Sequence, residues 1–303
     1  MTTFRLSASI VTYHSPQGEL ERLLESLVAA VEYAQQAFPA TSLQLTLIDN
    51  AETPTLDVRE LGLDLSRLNA ANVSITLQQG FGNVGYGKAH NRVLAKLDSD
   101  YHLILNSDVE LATDSLSKLF EYLQSFDDAE QQAGADTRQL PVLISPAATD
   151  FLGNKQHLCK SYPSLFIFWL RGFAPPFMKR KFVKKMAAYE RRDLDTKPAL
   201  KYGRAAQQQD APTASKVEIV SGCCMLCRSD ALVRSGGFDP KFFLYFEDFD
   251  LSIRLGKLGE VVYLPTLRVR HGGGNAAQKG KDHQRYFMKS AVTFFNKHGW
   301  RLF

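Results

Sequence analysis

The chain has 303 residues, 45% hydrophobic and 22% charged, with a formal net charge of +4. That is enough apolar material for a large folded core and too much for a disordered chain. The longest apolar run, LFIFWL at 165–170, is far below the roughly 18 residues of a membrane span; the N-terminus lacks a signal peptide's basic head and apolar middle, and four cysteines are too few for a secreted disulfide framework. A cytoplasmic protein with reduced thiols is expected.

Strand and helix signals then alternate along the first half. LSASIVTYH (6–14) is a β-branched run with polar residues at its end, and GELERLLESLVAAVEYAQQAF (18–38) has helical spacing. LQLTLIDN (43–50) and VSITLQQ (73–79) read as strands, GKAHNRVLAKL (87–97) as a helix and YHLILNSD (101–108) as a strand. This order predicts βα units and a largely parallel α/β sheet, whose ligands sit at the carboxyl ends of the strands. The residues to inspect are therefore Tyr13 and His14, Asp49 and Asn50, and Asn106 and Asp108.

Gly80, Gly82 and Gly85 in QGFGNVGYGKAHN (79–91) match G-x-G-x-x-G, a dinucleotide fingerprint. The fingerprint belongs after a first strand, with an acid about 20 residues on; here it follows the third strand, and the next strand ends in Asn106. Backbone N–H groups of such a loop can still face phosphate, while the structural alternative is glycines that let the loop turn against a neighbour. Asp108 follows the fourth strand and suits Mg²⁺ or Mn²⁺, which need few protein ligands beside a substrate's own phosphates. The competing reading makes Asp108 the start of a helix running from DVELATDSLSKLF (108–120), although Thr113 or Asp114 would cap that helix as well.

Residues 155–205 hold 13 Lys and Arg against 3 Asp and Glu, a net of +10, which leaves −6 for the rest (4 − 10). The basic residues alternate with Phe, Trp, Met and Leu, a composition suited to an anionic membrane surface; nucleic acid and a plain solvated helix face are the alternatives. Pro163, Pro175 and Pro176 divide the stretch into short pieces.

LYFEDFDLSIR (244–254) carries three carboxylates. In a helix from 247, Asp250 and Arg254 are four apart and read as a surface pair, with Glu247 on the same polar side. Asp248 instead heads the stripe of Leu251, Ser252, Leu255 and Leu258, where an acid is costly unless it has a use. Desolvation would raise its pKa and the helix N-terminus would lower it. His271, ahead of three glycines, can complete a divalent metal site with Asp108 or contact a diphosphate; a satisfied structural histidine is the alternative. Cys224 and Cys227 have C-x-x-C spacing without a second pair, so these thiols read as small hydrophobes in a buried strand rather than zinc ligands.

The succession ASIVTYH, LIDNA, GNVGYGKAHN, LILNSDVEL, VSGCCMLCRSDALVRSGGFDPKFFLYFEDFDLSIRLGKLG and VRHGGG resembles the family 2 glycosyltransferases of GT-A fold, nearest to the bacterial rhamnosyltransferases of O-antigen and cell-wall assembly. The resemblance covers residues 6 to about 274. It implies a nucleotide-sugar-binding half (1–150), a basic-aromatic insert for membrane or acceptor contact (151–210) and an acceptor and catalytic half ending in a helix (211–303). It further implies inverting transfer of a sugar, rhamnose from dTDP-rhamnose, to a polyprenyl-diphosphate-linked glycan. Asp248 would be the base of the "ED" motif, beside Glu247. Thr12, Tyr13, Asp49, Asn50, Asn83, Gly85, Asn91, Asn106 and Asp108 would line the nucleotide-sugar site, and Asp108 and His271 would hold Mg²⁺ or Mn²⁺. Asn106 departs from the family's D-x-D signature. The partners implied are a dTDP- or UDP-sugar, a lipid-linked acceptor and the inner face of the cell membrane, and no nucleic acid. A nucleotidyltransferase and a nicotinamide-dependent oxidoreductase using the 80–85 loop remain the rival activities.

Overall fold

The computed structural model describes residues 4–133, 140–172, 174–195, 214–273 and 281–303. In chain order the first half gives β1 (Arg5–Thr12), α1 (Gln17–Gln35), β2 (Ser42–Asp49), α2 (Leu65–Ala70), β3 (Val73–Gln78), α3 (Tyr86–Leu94), β4 (Tyr101–Asn106), β5 (Val109–Leu111), α4 (Ser115–Ala133) and β6 (Leu143–Thr149). There follow β7 (Lys155–Gln156), β8 (Cys159–Lys160), α5 (Leu165–Gly172), α6 (Pro176–Lys181), α7 (Val183–Tyr189), β9 (Ser215–Lys216), β10 (Ile219–Val220), β11 (Cys224–Arg228), α8 (Ser229–Arg234), α9 (Glu247–Gly256), β12 (Val261–His271) and α10 (Lys281–His298).

The strand runs order themselves as β3-β2-β1-β4-β11-β6-β12-β5 in one sheet. β3, β2, β1 and β4 are mutually parallel and β6 is parallel to β12, while β11 runs antiparallel between β4 and β6. The long strands therefore share one direction, and β1 is buried at all but its first position, as a strand covered on both faces must be. Strands from either side of residue 150 interleave in this sheet. The alternative of a helix starting at Asp108 is not what forms: β5 follows, because Val109 and Leu111 pair with His271 and Val269 of β12, and α4 starts only at Ser115.

One sheet face packs on α1 and α4 through Leu20, Leu23, Leu24, Leu27, Val31, Leu116, Leu119, Phe120 and Leu123, a helical stripe on each helix. The other face meets α3, α8 and α9 through Leu94, Ala231, Leu232, Leu251 and Leu255. Polar residues inside β1 and β4 are paired: Ser9 joins His90 (2.7 Å) and His102 (2.8 Å), and Ser7 joins the other nitrogen of His102 (2.6 Å). Burial holds the His102 pKa down to about 3, so that ring is neutral. A third cluster, Phe242, Phe246, Ala291, Phe294 and Phe295, fastens α10 to the segment before α9. Among the described residues no helix is long and apolar enough to cross a membrane.

Candidate active site

The parallel register brings the polar strand ends to one edge. Thr12 is paired with Asp49, and Val11 with Asn106, so the tips of β2, β1 and β4 lie side by side. Much of this edge holds its own loops. Asp49 is buried and accepts hydrogen bonds from the Ala51, Thr55 and Leu56 N–H groups and the Thr55 hydroxyl. The buried Asn50 donates to Asn83 (3.1 Å) and accepts from the Val84 N–H (3.0 Å), while Asn83 Oδ1 also accepts from the Gly85 N–H (3.1 Å). Thr12 is buried, its hydroxyl directed at the Ile48 carbonyl (3.4 Å). Asn91 takes both backbone groups of Phe238, accepting at 2.8 Å and donating at 2.7 Å, and so ties α3 to the segment leading into α9. Tyr13 is exposed, with its hydroxyl on Glu52 (3.1 Å), and the Asn106 side chain makes no hydrogen bond among the described residues.

The glycine loop packs against its neighbour. Gly85 has φ +89°, and a Cβ there would lie 2.4 Å from the Phe243 carbonyl oxygen, which accepts the Tyr86 N–H. The loop thus anchors the 238–246 segment to the strand tips.

Asp108 and His271 stand together, Nε2 to carboxylate 3.4 Å, because β5 and β12 are adjacent and the Gly272 N–H donates to the Asp108 carbonyl (2.9 Å). Gln156, on β7, grips the histidine twice: its Oε1 lies 2.7 Å from Nδ1 and its Nε2 donates to the His271 carbonyl (2.9 Å). With Nδ1–H donating to the amide oxygen, Nε2 presents its lone pair toward Asp108, the arrangement a metal-ligating histidine needs. One carboxylate and one oriented imidazole fit a hard divalent ion that takes its remaining ligands from water and substrate phosphates. Gln156 was invisible in the sequence, where the stretch read only as basic.

Tyr245 and Phe246, at φ 69° and 65°, are consecutive left-handed non-glycine residues directly before α9. Such conformations cost about 1–3 kcal/mol each and persist where packing dictates them. Here Phe246 is held among Phe168, Phe249, Phe287 and Phe294. The turn delivers the three acids with quite different surroundings. Asp250, expected on the surface, is fully buried and meets Arg254 (2.8 Å), Lys297 (2.6 Å) and His298 (2.7 Å). Burial pushes its pKa up, but Lys297, Arg254 and His298 together outweigh that and hold it below the usual value. Its task is to fix α10. Glu247, expected on the same polar side, is also buried, and its Oε2 has no hydrogen-bond partner among the described residues. Burial, then the charge of Asp248, pushes its pKa well above normal.

Asp248 is half-buried and shares the helix side of the buried Leu251, Ser252 and Leu255. Its Oδ2 accepts the Gly222 N–H (2.7 Å) and its Oδ1 the Phe249 N–H (2.9 Å). Burial raises its pKa to about 6, against the lowering by these N–H groups and by Lys160. A Cβ on Gly222 would stand 3.1 Å from the Asp248 Cβ, so only glycine lets the backbone approach. Cys223, next to Gly222, receives the Asn106 N–H on its carbonyl (2.9 Å), and its thiol feels the charges of both Asp108 and Asp248. The acid of α9 and the acid after β4 thus flank one backbone segment. Cys223, Cys224 and Cys227 are buried; burial pushes the Cys224 thiol up to about 12 and the other two upward as well, which makes them packing groups rather than nucleophiles.

No protein-family model matches the chain. It is similar to the N-acetylglucosaminyl-diphospho-decaprenol L-rhamnosyltransferase of Mycobacterium tuberculosis, 28% identical over 310 aligned positions that cover 96% of this chain and 84% of the relative. Among solved structures it is similar to GalNAc-T7 with UDP, GalNAc and Mn²⁺ (TM-score 0.55, 14% identity, 97% of this chain, 48% of that one) and to S. aureus TarS (TM-score 0.50, 14% identity, 96% and 40%). The chain spans less than half the length of either of these two structures. The chain has the GT-A fold of these two structures, and its sequence is similar to that of a rhamnosyltransferase along nearly its whole length.

Proposed function

We propose that the chain transfers rhamnose from dTDP-rhamnose to a polyprenyl-diphosphate-linked glycan with inversion, Asp248 acting as the base. The observation that carries this reading is one partly desolvated carboxylate, pKa about 6, set across Gly222–Cys223 from the Asp108–His271 pair. The name of the mycobacterial relative, which specifies an N-acetylglucosaminyl-diphospho-decaprenol acceptor and an L-rhamnosyl group, supports the acceptor and the sugar transferred.

In this reading Asp248, ionised at neutral pH, accepts the proton of the acceptor hydroxyl as its oxygen attacks the anomeric carbon and the bond to the nucleoside diphosphate breaks. Glu247 beside it, its pKa raised by burial and by the charge of Asp248, favours the protonated acid, which limits the repulsion between the two carboxyls. Asp108 and His271 would hold Mg²⁺ or Mn²⁺, which when bound neutralises charge on the departing diphosphate. Tyr13, Asn83, Asn106 and Asp108 offer groups to the nucleotide sugar. Thr12, Asp49, Asn50, Gly85 and Asn91 shape the loops around it, a less direct part than contact with the nucleotide.

The acceptor's lipid implies a membrane surface. Phe177, Leu302 and Phe303 are 68%, 64% and 79% exposed, beside exposed Arg180, Lys181, Lys184 and Lys185. The C-terminal tail joins this face through the Leu165 and Phe166 N–H groups, which donate to the Arg301 and Leu302 carbonyls. Apolar side chains among cations suit an anionic bilayer surface. Residues 196–205 of the basic stretch lie outside the described residues.

The test is transfer from a panel of dTDP- and UDP-sugars to a short-chain prenyl-diphospho-N-acetylglucosamine, with and without Mn²⁺, followed by determination of the product's anomeric configuration. A rhamnosyl product of inverted configuration is expected. A retained configuration, or hydride transfer from nicotinamide, refutes the reading.

A further inference from the structure

The base has a cationic neighbour that the donor site does not use. β8 pairs antiparallel with β10, Lys160 opposite Ile219 and Cys159 opposite Val220. Beyond β10 the Ser221 N–H donates to the Leu158 carbonyl (2.9 Å), and Gly222 then reaches Asp248. Cys159 turns into the core, so Lys160 faces the other way. There the buried Tyr189 forms a floor. Lys160 Nζ stands 5.9 Å and Arg171 Cζ 5.5 Å from its ring centre, and the Tyr189 carbonyl accepts the Ser161 N–H (2.9 Å).

Among the described residues neither cation forms an ion pair; Lys160 donates to the His157 carbonyl, and Glu190, whose carboxylate feels the charge of both cations, accepts its hydrogen bonds from Arg192 (2.9 and 2.7 Å). Burial, then the charge of Arg171, pushes the Lys160 pKa down to about 8, which an incoming anion would reverse. Asp248 lies close enough to alter the titration of Tyr189 and to be altered by Lys160. Arg171 and Tyr189 close α5 and α7, the helices of the apolar, basic face. An anion here would lie between that face and the base, with Asp108 and His271 at the far end of the path from Asn106 through Cys223 and Gly222 to Asp248.

We infer that Lys160 and Arg171, over Tyr189, form a diphosphate subsite for the acceptor, gripping the group that links its sugar to the lipid and so presenting the sugar's hydroxyl to Asp248. The inference rests on the transferase reading for the identity of the acceptor. A diphosphate could also come from the nucleotide, and the two sources separate experimentally.

The probe is farnesyl diphosphate, titrated into the protein by calorimetry with the nucleotide site filled by dTDP and Mn²⁺. Lys160→Met and Arg171→Gln should each weaken farnesyl diphosphate by about tenfold to a hundredfold, leave dTDP affinity within about twofold, and raise KM for a lipid-diphosphate acceptor by a similar factor with kcat nearly kept. Lys160→Arg should restore most of the binding. Loss of dTDP affinity instead would assign the cations to the donor. Equal KM increases for the lipid-diphosphate acceptor and for an uncharged octyl N-acetylglucosaminide would reduce them to packing. Unchanged farnesyl diphosphate affinity in both variants would overturn the subsite outright. Binding that depends on Lys160 in a protein that transfers no sugar would uphold the subsite and refute the transferase reading.

Discussion

The edge that the proposed function gives to the donor and the edge it gives to the acceptor are built by different means. Around β1, β2 and β4 the parallel ladder fixes the positions, and Asp49, Asn50 and Asn83 lock the intervening loops by hydrogen bonds to nearby backbone. On the acceptor side the sheet gives way to two-residue strands, helices of six to eight residues and a left-handed turn, held by aromatic packing and one buried ion network. Continuous main-chain hydrogen bonding tolerates little variation, whereas short pieces pinned by side chains can be reshaped for a different acceptor. In the proposed function, nucleotide recognition falls to the first kind of construction and acceptor choice to the second.

Substitutions can separate the two edges. The largest effect is expected for Asp248→Asn, which should lower kcat by about 10²–10⁴-fold while donor affinity, measured by nucleotide titration, stays intact; wild-type turnover would eliminate Asp248 as the base. Asp250→Ala should act on folding, since Lys297, Arg254 and His298 lose their shared anion. Denaturant unfolding should register a loss of about 3 kcal/mol, and an unchanged midpoint would mean that α10 is held by its phenylalanines alone. On the donor edge, Asp108→Ala and His271→Ala should weaken dTDP in the presence of Mn²⁺ by about 10- to 100-fold, and Gln156→Leu by about tenfold through the lost ring orientation. Equal loss without Mn²⁺ would speak against a metal at this pair.

The smallest effect tests the cost of the base itself. Burial raises the folded pKa of Asp248 to about 6 from an unfolded value of 3.8, so the folded state binds its proton more tightly. The stability this confers is complete below about pH 4 and is lost as pH rises through about 6. The amide introduced by Asp248→Asn never ionises, and its NH2 group replaces one acceptor of the Gly222 and Phe249 N–H groups at a cost independent of pH; thermal unfolding should therefore show the variant gaining about 1–2 kcal/mol on the wild type between pH 4 and pH 7.5. The same proton sets the activity: kcat/KM of the wild type should fall as pH drops through about 6.

How far the site was legible follows from how each residue is held. Periodicity located β1, α1, β2, β3, α3 and β4, because a doubly buried strand and an amphipathic helix print their environment on local sequence. The place of Asp248 on the helix side of Leu251, Ser252 and Leu255 was legible for the same reason. Asp250 and Glu247 were misread as surface groups, since helical spacing says nothing about a second helix covering the polar side. The strand at Val109–Leu111 was not legible, because its partner strand is about 160 residues away in the chain.

By itself the sequence determined the alternating α/β order, the polar residues at the strand tips and the order of motifs that carries the resemblance. Those are properties of local pattern, where burial on one side or both dictates side-chain type. Only the tertiary structure decided that Gln156 orients His271, that Gly222 brings a backbone N–H onto Asp248, and that Lys160 and Arg171 meet over Tyr189. Each of these is a contact between segments distant in the chain, and a contact of that kind depends on the direction in which folded elements cross, which no local pattern records.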